Sequence, residues 1–78
     1  MVVYGIREAR SNGDTIIFNT LYRKKEQAYK DALDWAINWR KPGEYIEESK
    51  SADVSQIIMY SEDGLGVRIL TIIGFDLI

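Results

Sequence analysis

Apolar residues cluster into runs whose spacing changes along the chain. The first run, Val2-Val3-Tyr4-Gly5-Ile6-Arg7-Glu8-Ala9-Arg10, predicts a strand, and Thr15 to Tyr22 predicts another. Ser11-Asn12-Gly13-Asp14 lies between them, and Asn-Gly is a strong hairpin signal because both residues accept positive φ. Loop length then sets which side chains share a face. A two-residue loop pairs Arg7 with Phe18 and Ile6 with Asn19, mixing apolar and polar on both sides. A three-residue loop with a bulge aligns Tyr4 and Ile6 with Ile16 and Phe18, which suits a core. The bulged loop is the expectation.

From Lys24 to Arg40 the period becomes helical. With about 100° per residue from Ala28, Trp35, Trp39, Ala32 and Ala36 fall together, and Tyr29, Leu33 and Ile37 continue the arc. Lys30, Asp31, Asp34 and Asn38 fill the opposite side. Lys41-Pro42-Gly43 ends the helix, since proline fixes φ and removes a donor. The acidic segment 43–53 is weakly patterned and holds a short strand at Tyr45–Glu47 or only a loop. Val54 to Tyr60 and Val67 to Ile73 predict a second hairpin around Ser61-Glu62-Asp63-Gly64-Leu65-Gly66, with Gly74 as a kink before an apolar end. The expected fold is one α+β domain over residues 1–78, a four-stranded antiparallel sheet with one helix packed on one face, in the order ββαββ.

One helix covers one face of a sheet, so the other should be polar. The second hairpin breaks that rule. Ile58 and Tyr60 oppose Ile57 and Met59, and Val67, Ile69 and Ile73 oppose Leu70 and Ile72. An apolar second face marks an interface. Ile57, Met59, Leu70 and Ile72 are the expected self-association set, making a homo-oligomer, a dimer, the expected state. The competing expectation is that the 43–53 segment and the apolar end fold over that face.

Composition narrows the function. The 78 residues include no cysteine and no histidine, which leaves no disulfide framework, no Cys-based zinc site and no imidazole base. The serines stand in turns without a nucleophile elbow, and Gly64-Leu65-Gly66 reads as turn chemistry. Glu44, Glu47, Glu48 and Asp53 are carboxylates whose spacing fits no EF-hand. No catalytic residue, metal or cofactor is therefore expected. The start of the chain lacks the pattern of a signal peptide, and Val67 to Phe75 is too short to span a bilayer, so the chain reads as cytoplasmic and without a membrane partner.

The net charge of −2 argues against a dedicated nucleic-acid binder. It is unevenly spread, with eight basic and five acidic residues in 1–42 against two and seven in 43–78. Arg23, Lys24 and Lys25 crowd the positive end of the helix dipole, where an anion would suit them. Trp35, Trp39 and Arg40 are of the types enriched in binding hot spots, and Glu44, Glu47 and Glu48 follow them. These six are the expected partner-binding set, the rings supplying area and the acids complementing a basic surface. A nucleic-acid-binding module using Arg7, Arg10, Arg23, Lys24, Lys25, Lys30, Arg40 and Lys41 is an alternative, as is a structural subunit of a larger assembly.

A hairpin, an alanine-rich helix with late tryptophans (Ala28, Ala32, Trp35, Ala36, Trp39), then Pro42-Gly43 and further strands, resembles the layout of small phage-encoded inhibitors, anti-CRISPR proteins among them. The resemblance implies a protein that occludes a surface on a host defence or nucleic-acid-processing complex. The net-basic first half departs from the acidic members that mimic DNA, and only 43–63 has their character.

Overall fold

Asn12 and Gly13 open the structure as the sequence leads one to expect. The Asn12 side chain accepts from the Asp14 amide at 2.9 Å, Gly13 adopts φ 95°, and Arg10 pairs with Asp14 across a three-residue loop. The hairpin joins β1 (Val2–Arg10) to β2 (Thr15–Ile17), with Arg7 opposite Ile17 and Glu8 opposite Ile16. Tyr4, Ile6, Ile16 and Phe18 therefore share a side, the bulged register. β2 is shorter than the predicted run to Tyr22. The chain leaves the ladder after Phe18 and rejoins it at Tyr22, which bridges Tyr4.

The computed structural model describes residues 1–51 and 54–76; Asp53 and the apolar pair 77–78 lie outside them. After β2 come α1 (Lys25–Trp39), β3 (Tyr45–Lys50), β4 (Ser55–Tyr60) and β5 (Val67–Asp76). The strands form one antiparallel sheet in the order β2-β1-β5-β4-β3. The fold is thus α+β with five strands, not four. The added strand is β3, the charge-rich Tyr-Ile-Glu-Glu-Ser-Lys, which lies at the sheet edge. Glutamate, serine and lysine are poor strand formers, but charge is what blunts an exposed edge against further pairing.

β5 also runs past its expected kink. Gly74 stays in the ladder opposite Tyr4, whose ring packs against it, and on the other face Phe75 lies over Gly5. An aromatic ring over a strand glycine replaces the contact its missing side chain cannot make.

The helix packs on the face bearing Ile6, Leu70, Ile72, Ile57 and Met59. Ala28, Ala32 and Ala36 are fully buried, and these small residues let the helix backbone lie close to the sheet. Tyr29 and the half-buried Leu33, Trp35, Tyr4, Phe18, Tyr22 and Ile46 rim the core. Burying each of Ile6, Ile57 and Leu70 contributes roughly 1.5–3 kcal/mol. The helix stops at Arg40, and the following turn uses Gly43 at φ 86° with the Glu62 side chain lying against its α-carbon.

This packing corrects the expected self-association set. Ile57, Met59, Leu70 and Ile72 lie beneath the helix, 6% exposed at most. The side left open is the opposite one: Ile58 and Tyr60 of β4, Val67, Ile69, Ile73 and Phe75 of β5, and Tyr45 of β3. Among the described residues no helix is long and apolar enough to cross a membrane.

Candidate interaction surface

Trp35 and Trp39 stand one helical turn apart and have different surroundings. The Trp35 ring is half-buried, tilted against Phe18 at 5.3 Å between centroids, so it belongs to the rim of the core. Trp39 packs on Trp35 at 6.3 Å and is 64% exposed. Phe18, Trp35 and Trp39 make an aromatic row running outward from the core, and Arg40 and Lys41, both exposed, follow directly in the chain.

Beside this row is a shallow depression of about 440 Å³ lined by Trp35, Phe18, Ile16, Arg10 and Glu8 among others. Glu8 is a site residue that the sequence reading missed. Its side chain is 2% exposed, Arg10 donates to Oε1 from Nη2 at 3.1 Å, and Arg68 Nη1 stands 3.9 Å from Oε2. Arg10 and Arg68 sit directly opposite one another on β1 and β5, so two like charges are held together by the carboxylate one ladder step away. The alternation Tyr4, Ile6, Glu8 put this acid on the core side, and that was the available signal.

The three expected partner-binding acids do not converge. Glu44 folds back to accept from the Lys41 amide at 2.9 Å. Glu47 points to the open sheet face, beside Tyr60. Glu48 points the other way and accepts from the Tyr29 hydroxyl at 2.5 Å. Burial, and then the Glu48 carboxylate, push the Tyr29 hydroxyl well above its ordinary value. Lys50 Nζ lies 4.1 Å from the centre of the Tyr29 ring. Glu48 is thus engaged within the fold, and of the expected set Trp39, Arg40 and Glu47 are the exposed members left, Trp39 resting on Trp35 and Glu47 bonded to Tyr60.

Lys24 is the residue before the helix, extended and without a side-chain cap, and Arg23 beside it is exposed. Lys25 lines a depression of about 250 Å³ with Glu26, Tyr29, Lys50, Ser51 and Ser55. Glu26 lines the same depression, and Glu48 lies against the same tyrosine. The other cations are dispersed. Arg7 lies on the open face, Arg10 on the helix side, and Arg40 and Lys41 beyond the helix end. Among the described residues no three carboxylates gather as a metal site would require.

The described residues form a two-layer α+β domain with an exposed aromatic helix edge and an apolar open sheet face. No family model, curated protein or solved structure matches the chain.

Proposed function

We propose that the chain is a non-catalytic protein-interaction module that docks through the aromatic edge of its helix. The observation that carries this is Trp39, which keeps most of its surface exposed while its ring rests on Trp35. A large ring already held in place contributes contact area at small entropic cost on binding. Arg40 and Lys41 flank it, and Arg10 borders the depression beside Trp35. The complementary partner is a protein surface that is acidic around an apolar pocket. With Glu44 and Glu48 bonded within the fold and Glu47 on the far face of the sheet, this edge favours that chemistry over the basic surface its sequence led one to expect. Occlusion of such a surface on a larger complex is the mode of action that the layout shared with phage-encoded inhibitors implies.

Affinity capture from bacterial lysate with the wild type, Trp39→Ala and Arg40→Ala tests the reading. The expected result is a specific partner whose recovery falls about tenfold or more with Trp39→Ala, at unchanged thermal stability. Equal capture by both variants sinks it. The dispersed cations weigh against the nucleic-acid alternative, whose own signature would be binding of labelled duplex that falls steeply with salt.

A further inference from the structure

Among the described strand residues, the sheet face away from the helix has one cation and one anion, Arg7 and Glu47, and they lie toward opposite sides of it. Across the strands in order, that side carries Thr15 and Ile17 of β2; Val3, Gly5, Arg7 and Ala9 of β1; and Val67, Ile69, Thr71, Ile73 and Phe75 of β5, with Val3 and Thr71 buried and Gly5 beneath Phe75 and Leu21. It continues through Gln56, Ile58 and Tyr60 of β4 to Tyr45, Glu47 and Ser49 of β3. Tyr45 and Tyr60 stack at 4.8 Å there. Ile17 and Tyr45 are more than half exposed. Among the described residues, neither Arg7 nor Glu47 takes part in an ion pair.

We propose that this face docks on the same face of a second copy, with Arg7 of each copy reaching Glu47 of the other. Two sheets packed face to face align their strands within about 30°. A two-fold axis nearly parallel to the strands then places β5 over β5, β1 over β4 and β2 over β3. Glu47 of one copy comes to lie one strand spacing and two residues along from Arg7 of the other, within the reach of the two side chains across a gap of about 10 Å. Within a single copy β1 and β3 are three strand spacings apart, about 14 Å, so the same two side chains cannot meet. Each charge has an opposite charge only when a second copy is present, and the two-fold makes the pair twice.

The size of the face agrees with a reversible dimer. Five strands at about 4.8 Å and some six residues at about 3.3 Å give roughly 500 Å² per copy. The pair together buries roughly 1,000 Å², at the lower end of specific interfaces, which corresponds to association in about the micromolar range rather than an obligate dimer.

Sedimentation velocity on the full chain over a concentration series tests the assignment, with wild type, Arg7→Glu, Glu47→Arg and the double swap. Both positions are exposed, and circular dichroism checks that each variant keeps its fold. Expected are a concentration-dependent wild-type dimer, a dissociation constant raised about tenfold or more by either single reversal, and recovery toward the wild-type value in the double swap. A wild type that stays monomeric at the highest soluble concentration overturns the proposal. So does a dimer indifferent to the reversals, or one that the double swap fails to restore.

Discussion

The Tyr29 hydroxyl donates to Glu48 across 2.5 Å, tying the helix to the edge strand nineteen positions further along the chain. Tyr22 lies on the opposite rim of the core, and burial, then Asp31, raise its hydroxyl as well.

Both tyrosines are neutral in the fold and their folded pKa lies above the ordinary value of 10.0. The sign follows directly. A raised folded value means stability fully present below about pH 10 and lost as pH climbs through and beyond it. Urea unfolding at increasing pH should show a midpoint that declines only in that alkaline range. Tyr29→Phe should cost about 0.5–1.5 kcal/mol at neutral pH and make the alkaline decline shallower. An unchanged alkaline slope in Tyr29→Phe would remove this residue as its source.

The two tryptophans should separate cleanly. Trp35→Ala deletes a ring packed on Phe18 and the core rim, and it should cost about 2–4 kcal/mol in chemical denaturation. Trp39→Ala removes a largely exposed ring and should cost less than about 1 kcal/mol. Equal losses would show that Trp39 is structural.

Glu8 gives an asymmetric expectation. Removing the guanidinium of Arg10 leaves a buried carboxylate short of its hydrogen-bonded partner and should cost about 2–4 kcal/mol. Glu8→Met instead releases two half-exposed arginines to water and fills the space with an apolar chain of similar length, so stability should hold or rise by about 1 kcal/mol. Thermal melts of the two variants decide the point, and a large loss in Glu8→Met would show that the ion cluster itself is stabilising.

Gly43 and Gly13 both have positive φ, but only Gly43 has a neighbour pressed against it. Alanine at Gly13 should cost about 1 kcal/mol from backbone conformation alone. Alanine at Gly43 must also displace the Glu62 carboxyl, and it should cost measurably more in the same assay. Identical losses would mean that Glu62 moves aside freely.

Local chemistry was legible wherever it discriminated. Asn12-Gly13 and the Tyr4, Ile6, Ile16, Phe18 alternation were enough for the first hairpin, and the alanine spacing was enough for the helix. The second hairpin had no such asymmetry. Ile57 and Met59 are no more apolar than Ile58 and Tyr60, so nothing local chose which pair the helix would cover. That choice follows from β5 pairing with β1, where Ile72 lands opposite Ile6 and Leu70 opposite Glu8. Such long-range register leaves no mark on a single sequence. β3 was half-seen because its edge position admits charges that a propensity argument counts against a strand. The acids Glu47 and Glu48 looked like one patch because neighbours in sequence look like neighbours in space, whereas strand geometry sends them to opposite faces.

The pairing of β1 with β5 also governs how the chain reaches this structure. The two longest strands lie side by side in the sheet, yet more than fifty residues separate their facing positions. Each hairpin closes early and locally, but neither has a completed apolar side until the first and last strands meet. The entropic cost of that closure comes before its reward, so the search is slow and the gain arrives all at once. Partly assembled chains, with β1 and β5 still offering open edges to any strand they encounter, are the species most prone to pair wrongly.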